Sequence, residues 1–357
     1  MCIFVQKKEI IGTYMPIRRQ FLMVAMAAVM HFLVDCLCVC CLYQMTAAYP
    51  TGFIVAIFVT YNVLAFTTQP LTGLMADLTT KRYRLLLAAI LLLALPIAGA
   101  TVIAEADDDI STWAVLTVAT LLGTGNSFFH VWGGKETAVK TGNDLRALGV
   151  FVSTGALGLS VGVLFPSWFL LFSLIIALAA ISLIYAKLDV SPQSEETISE
   201  TAPTPHFAQP LIWTAVGIII GIVFFRSLLG EVFSAGIDKN PVIILTIGAT
   251  AMIGKMAGGW IARRWGIALS MLIVMSAVYA SYLLMDTDMV FCLAGIFLIN
   301  LTMPVTLYLS NRLMPKREGL SFGLLAAALI PGYYIAQYII RLDFNTILTI
   351  LANLNHI

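Results

Sequence analysis

GLMADLTTKRYR runs from Gly73 to Arg84, and GGWIARRWG runs from Gly258 to Gly266. The two stretches begin 185 residues apart. Each closes an apolar run with small residues, which let a neighbouring helix approach closely. Each is followed at once by a basic cluster, which pins that helix end to the cytoplasmic face of a membrane. A Gly/basic pair recurring at one fixed offset reads as an internal repeat, with the same helix end built twice.

The rest of the 357-residue chain supplies the context for that repeat. Hydrophobic residues make up 60% of it and charged residues 11%, with a mean hydropathy of +0.95. A soluble protein of that composition could not cover its surface with polar groups, whereas lipid accepts apolar side chains over the whole outer wall. A secreted disulfide scaffold, a nucleic-acid binder and a cytosolic enzyme are therefore excluded, and an all-α polytopic membrane protein is expected. About 20 apolar residues cross the hydrocarbon as a helix. Eleven such spans are readable, near 21–48, 51–76, 83–104, 113–134, 146–166, 167–187, 210–234, 241–262, 266–285, 289–311 and 319–340. A twelfth, near 343–357, is short for a crossing and either spans a thinned bilayer or lies at the interface.

The formal net charge of +1 hides a strong asymmetry. With the N-terminus placed in the cytoplasm, 16 of the 20 basic residues fall on the inner side. Lys239 and Arg341 fall outside, and Arg226 and Lys255 lie within spans. This pattern predicts cytoplasmic N- and C-termini and a multi-pass protein of a bacterial plasma (inner) membrane. No small-residue cleavage site follows a short apolar core, so the first span is expected to stay attached. The Ser/Thr/Pro/Glu-rich stretch at 189–209 reads as a cytoplasmic linker joining two pseudo-symmetric six-helix halves, 1–188 and 210–357.

The Gly73 stretch resembles the loop motif G-x-L-A-D-R-x-G-R-[RK] of the major facilitator superfamily. Gly73, Leu74, Ala76, Asp77, Lys81 and Arg82 follow its sense, while Leu78 and Thr80 depart from it. The second copy carries Ala262 in place of the Asp. The resemblance implies that Gly73, Asp77, Lys81, Arg82 and Gly258 form a conformational latch. In it, Asp77 contacts the start of the eleventh span near Glu318–Ser321 without its customary Arg partner. Within that superfamily, the region from Gly123 to Gly162 is similar to the fosmidomycin-resistance group. Phe129, His130 and Gly133 match its pattern, and Val131 replaces its Pro. That subgroup likeness implies export by proton antiport.

A transporter of this kind alternates access to a cavity at mid-membrane, where ionisable residues are expensive enough to be candidates by default. In the first span, His31 and Asp35 lie four apart and share a face; with Glu231 they are the candidates for proton coupling. Arg226 requires a partner, either Asp35, Glu231 or an anionic substrate. Asn126, His130, Trp132, Asn300 and Tyr308 complete the candidate substrate-binding set. Lys255, Lys135 and Glu136 read as snorkelling residues at the interface. Pro70, Pro304 and Pro331 mark expected helix bends. Cys36, Cys38, Cys40 and Cys41 crowd the first span, where they pack as small hydrophobes. His31, Asp35 and Cys38 are a weaker candidate for a soft metal ion, so no metal site is assigned.

No Walker-type phosphate loop is present. The sequence therefore predicts a secondary active transporter, not an enzyme, which needs no cofactor, binds no nucleic acid and works as a monomer in the lipid bilayer. It is expected to move a small organic molecule, anionic by the evidence of Arg226, in exchange for protons. The alternatives are proton-coupled uptake by symport, transport of a divalent or soft metal ion, and a transport-inactive sensor of the same fold.

Overall fold

A computed structural model describes residues 17–46, 51–79, 82–105, 112–189 and 209–341. The expected twelfth span, most of the expected linker at 189–209, and Lys81 lie outside the described residues. Among those residues the only regular structure is helical, and eleven helices are long and apolar enough to cross a membrane. They are α1 (Arg18–Met45), α2 (Phe53–Leu78), α3 (Tyr83–Ala100), α4 (Trp113–Thr141), α5 (Leu145–Leu164), α6 (Trp168–Leu188), α7 (Pro210–Ala235), α8 (Pro241–Trp265), α9 (Ile267–Leu284), α10 (Met289–Leu313) and α11 (Glu318–Ile340). They coincide with the eleven spans read from the sequence.

Three helices are interrupted, each just before a proline. α2 passes through a π turn at Val63–Thr67 ahead of Pro70. α10 breaks after Asn300 ahead of Pro304, and α11 breaks after Ala327 ahead of Pro331. Proline lacks an N–H and its ring crowds the carbonyl four residues back. That carbonyl belongs to Phe66, Asn300 and Ala327 in turn, and the helix yields there. Pro96 shows the limit of the rule, because the helix Arg82–Glu105 runs through it unbroken.

Several starts are fixed by the residue type expected at a helix cap. The side chains of Asp144, Ser167, Asn240 and Asp288 accept hydrogen bonds from backbone N–H groups of Arg146, Leu170, Ile243 and Val290. α1 and α4 are the most enclosed helices, whereas α6 and α9 turn Phe169, Ile176, Leu183, Leu272 and Tyr279 outward, as lipid-facing walls do. One end of the bundle carries the α2–α3, α4–α5, α8–α9 and α10–α11 connections. It is called the basic end below.

Candidate functional site

A cavity of about 170 Å³ lies between the first six helices and the remainder. His31, Asp35, Gln69 and His130 face it from α1, α2 and α4, and Arg226 and Lys255 face it from α7 and α8. The remaining wall is largely apolar and includes Phe66, Met303, Leu307, Phe322 and Leu325.

The pair expected on α1 is joined by a third group. His31 Nε2 lies 3.3 Å from Asp35 Oδ2, and His130 Nε2 lies 3.4 Å from Asp35 Oδ1. Asn126 Nδ2 donates to the same Oδ1 at 3.3 Å. Room for the cluster comes from Gly155 of α5, where a Cβ would collide with both the Asp35 carboxylate and the His31 ring. The two other ring nitrogens are committed: His31 Nδ1 bonds the Phe151 carbonyl at 2.7 Å, and His130 Nδ1 bonds the Asn126 carbonyl at 2.9 Å. A carbonyl oxygen can only accept, so each Nδ1 carries the hydrogen and each Nε2 presents a lone pair when its ring is neutral. Two lone pairs then face an ionised carboxylate, an arrangement that each added proton relieves by turning one contact into a donated hydrogen bond.

The same three groups offer ligand atoms all within 4.8 Å of one another. The two cations across the cavity, Arg226 and Lys255, would repel a metal ion held there. The third member of the cluster is His130, whereas Cys38 of the expected metal face instead contacts Asn126, which donates to its sulfur at 3.7 Å.

Arg226 is only 6% exposed, and its Nη1 has no hydrogen-bond partner. It forms neither of the ion pairs expected for it: Glu231 instead accepts from Gln337 Nε2 at 2.9 Å and does not line the cavity. Lys255 corrects a second expectation. It faces the cavity instead of snorkelling, because α8 packs against α5 through Gly149, which lies against the Lys255 and Met256 carbonyls. No ion pair to Arg226 or Lys255 occurs among the described residues, so the cavity holds two uncompensated cations opposite one carboxylate.

Asn126 donates to Asp35 without lining the cavity, and three further residues of the expected substrate set lie elsewhere. Trp132 is buried between Phe129 and Tyr185 inside the first six helices. The Asn300 amide donates back to the Ile296 carbonyl at the α10 break. Tyr308 accepts at its carbonyl from Asn143, and its hydroxyl takes a bond from Arg312. Aromatic type and approximate depth suggested these residues, but which face of the helix they occupy is set by tertiary packing. The apolar cavity wall uses Phe66 and Phe322 instead.

At the basic end, Asp77 reaches the start of α11. Its two oxygens accept from the Gly319 and Leu320 N–H groups at 2.9 and 2.8 Å. α11 has no side-chain cap of its own, so Asp77 caps it from α2. Lys135 of α4 lies 3.3 Å from Asp77 and donates to the Ala76 carbonyl, filling the place of the missing Arg. Gly73 packs directly on the Gly319 carbonyl. Arg82 begins a helix, and its side chain lies outside the described part of the structure. The second copy of the motif behaves differently. Gly258 packs on Leu301 of α10, and it is the next residue, Gly259, that meets Leu145 of α5 across the molecule. There Arg263 Nη1 bonds Asp144 Oδ2 at 2.7 Å, while Asn311 Nδ2 bonds Asn143 Oδ1 at 2.9 Å.

Helices of this number, a central cavity carrying charge and a basic end clasped twice fit a membrane transporter. The Major Facilitator Superfamily model matches residues 17–336, and the chain belongs to that family. No curated protein matches it. Among solved structures, a point variant of the E. coli fucose:proton symporter FucP is similar, with a TM-score of 0.59, 11% identity, and 89% of this chain and 90% of that one covered. A bacterial homologue of the iron transporter ferroportin, in an outward-facing state, gives 0.56 and 14%, covering 88% and 90%. At these identities the likeness shows the fold.

Proposed function

We propose that this chain is a proton-coupled symporter of a small organic anion. The observation that carries the reading is one cavity holding both a proton store, His31–Asp35–His130, and two cations without counter-ions, Arg226 and Lys255. Loading a proton on the cluster removes negative charge from the wall facing the cations and so raises anion affinity. By reciprocity the bound anion raises proton affinity. Proton and anion then bind and leave together, which is symport; an antiported cation would instead compete with protons for Asp35. The preference for antiport rested on the subgroup resemblance alone, and the cavity's charge supports the opposite coupling. The basic end is taken as cytoplasmic, from its positive charge.

In proteoliposomes, an inward proton gradient should drive anion accumulation. Asp35→Asn should abolish that driven uptake while leaving anion exchange at zero gradient. Undiminished driven uptake in Asp35→Asn, or proton efflux during substrate entry, would overturn the reading.

A further inference from the structure

The cavity's size and the distribution of its polar groups bear on what the anion is. Its volume is about 170 Å³, and an apolar protein cavity of about 150 Å³ takes up benzene. A guest of roughly six to nine non-hydrogen atoms matches this volume. The charged groups lie on two opposed walls: the cluster around Asp35 on one side, Arg226 and Lys255 on the other. Between them Phe66, Met303, Leu307, Phe322, Leu325 and Leu329 form an apolar middle. With Asp35 ionised and both imidazoles neutral the cavity carries one net positive charge, and the symported proton raises it to two; the guest is an anion, and the apolar middle of the cavity offers a second carboxylate no partner. The unpaired Nη1 of Arg226 is a planar donor suited to a carboxylate fork.

We infer that the substrate is a small monocarboxylate with a short apolar body, held head-first on Arg226 and Lys255 with its hydrocarbon or ring against Phe66 and Phe322. The inference rests on the proposed anion-binding role of this cavity. It adds a charge, a head group and an upper size. Ala326 also lines the cavity, so a larger side chain there would shorten the space available to the body.

Calorimetry on the full-length purified protein tests it with straight-chain carboxylates from acetate to decanoate, with benzoate and 2-naphthoate, and with alcohol, amine and phosphonate analogues matched in size. Affinity should rise with chain length to an optimum among acids of benzoate size, then fall at least about tenfold for naphthoate. Size-matched alcohols and amines should bind at least about tenfold more weakly than the acid. Arg226→Gln, shown folded by its melting temperature, should lose the preference for acid over alcohol. Ala326→Leu should keep that preference and move the optimum to shorter acids, and it remains informative if the Arg226 variant fails to fold. Equal binding of amine and acid, tighter binding of phosphonate than carboxylate, or affinity still rising at naphthoate would each overturn the inference. None of these readouts requires proton movement. Carboxylate binding without gradient-driven uptake sinks the symport reading alone; gradient-driven uptake of another anion without carboxylate binding sinks this inference alone.

Discussion

The two copies of the Gly/basic motif do one job with the carboxylate placed differently. In the first, the acid sits on α2 and reaches across to cap α11, a helix with no cap of its own. In the second, the motif residue equivalent to Asp77 is Ala262, and the acid is Asp144, the cap of α5 itself. From there Asp144 reaches back to Arg263, the residue after the alanine. A carboxylate thus bridges a helix N-terminus and the opposite group of helices in both places, but which element carries it is exchanged. The exchange explains why the second motif can lose its acid and still hold.

The difference also sets the strength. The Asp77 side chain is 4% exposed and receives two backbone N–H bonds as well as Lys135, so its charge is satisfied out of water. Arg263 is 54% exposed at its side chain, where solvent competes for every bond. Hydrogen bonds to a buried charge contribute about 1.5–3 kcal/mol each, against roughly 0.2–1 kcal/mol for an exposed ion pair.

The largest effect is therefore expected from Asp77→Ala, which removes both amide bonds and leaves Lys135 without its carboxylate partner. It should shift the balance by roughly 3–5 kcal/mol away from the form closed at the basic end. With Thr306→Cys as a reporter in the cavity wall, labelling by an impermeant maleimide from the basic end should speed up by at least about tenfold. An unchanged labelling rate would mean that Asp77 does not hold that end shut. Next comes Gly73→Val, whose side chain would be forced against the Gly319 carbonyl. Overpacking of that kind costs about 1–3 kcal/mol, so the labelling rate should rise by less than for Asp77→Ala.

Much of this architecture was legible in the sequence, and for identifiable reasons. Hydrophobic runs gave the eleven crossings because lipid imposes one length on each, and the prolines gave three bends because a missing N–H acts locally. Asp77 and its target at the start of α11 followed from the motif. The pairing of His31 with Asp35 followed from helical spacing. What could not be read was the packing of one helix on another. His130 meets Asp35 only because Gly155 lets α5 clear the cluster, and Lys255 faces inward only because of the close α5–α8 contact. The placement of Trp132, Asn300, Tyr308 and Glu231 away from the cavity has the same origin: their depth was readable and their azimuth was not. The second clasp was missed because its acid lies outside the motif, in a turn where Gly142 and Asn143 both adopt positive φ.

Asp144 gives the third prediction. Burial pushes its carboxyl pKa up, but hydrogen bonds from Arg146 and the charges of Arg146 and Arg263 outweigh that and hold it below the ordinary aspartate value. A lowered folded value means that the carboxylate's contribution is complete above about pH 4 and is lost only as the pH falls through that lowered value. The clasp is thus constant across the range in which imidazoles titrate. Asp144→Ala should cost about 1–2 kcal/mol in stability through the lost cap. Asp144→Asn, still a good cap, should cost less. Neither should change the shape of the transport–pH profile between pH 5 and 8; a displaced profile would place Asp144 in the coupling machinery beside Asp35.

The smallest effect is expected from Arg263→Ala, and it is the sharpest check on the comparison. Its pair with Asp144 is exposed, so removing it should cost no more than about 1 kcal/mol at low salt, and raising the ionic strength to about 1 M should erase most of that difference because screening then acts within a few ångströms. Asp144 remains satisfied in the variant, since Arg146 still donates to it from both backbone and side chain. Asp77→Ala should show much less salt dependence, because most of what it loses is two bonds to backbone N–H groups and its pair with Lys135 is largely buried. Thermal midpoints of the two variants, each followed from low to high salt, separate the cases. If Arg263→Ala destabilised as much as Asp77→Ala, and did so at every salt concentration, the two clasps would be equal in strength, and the exchange of the carboxylate between helices would carry no energetic consequence.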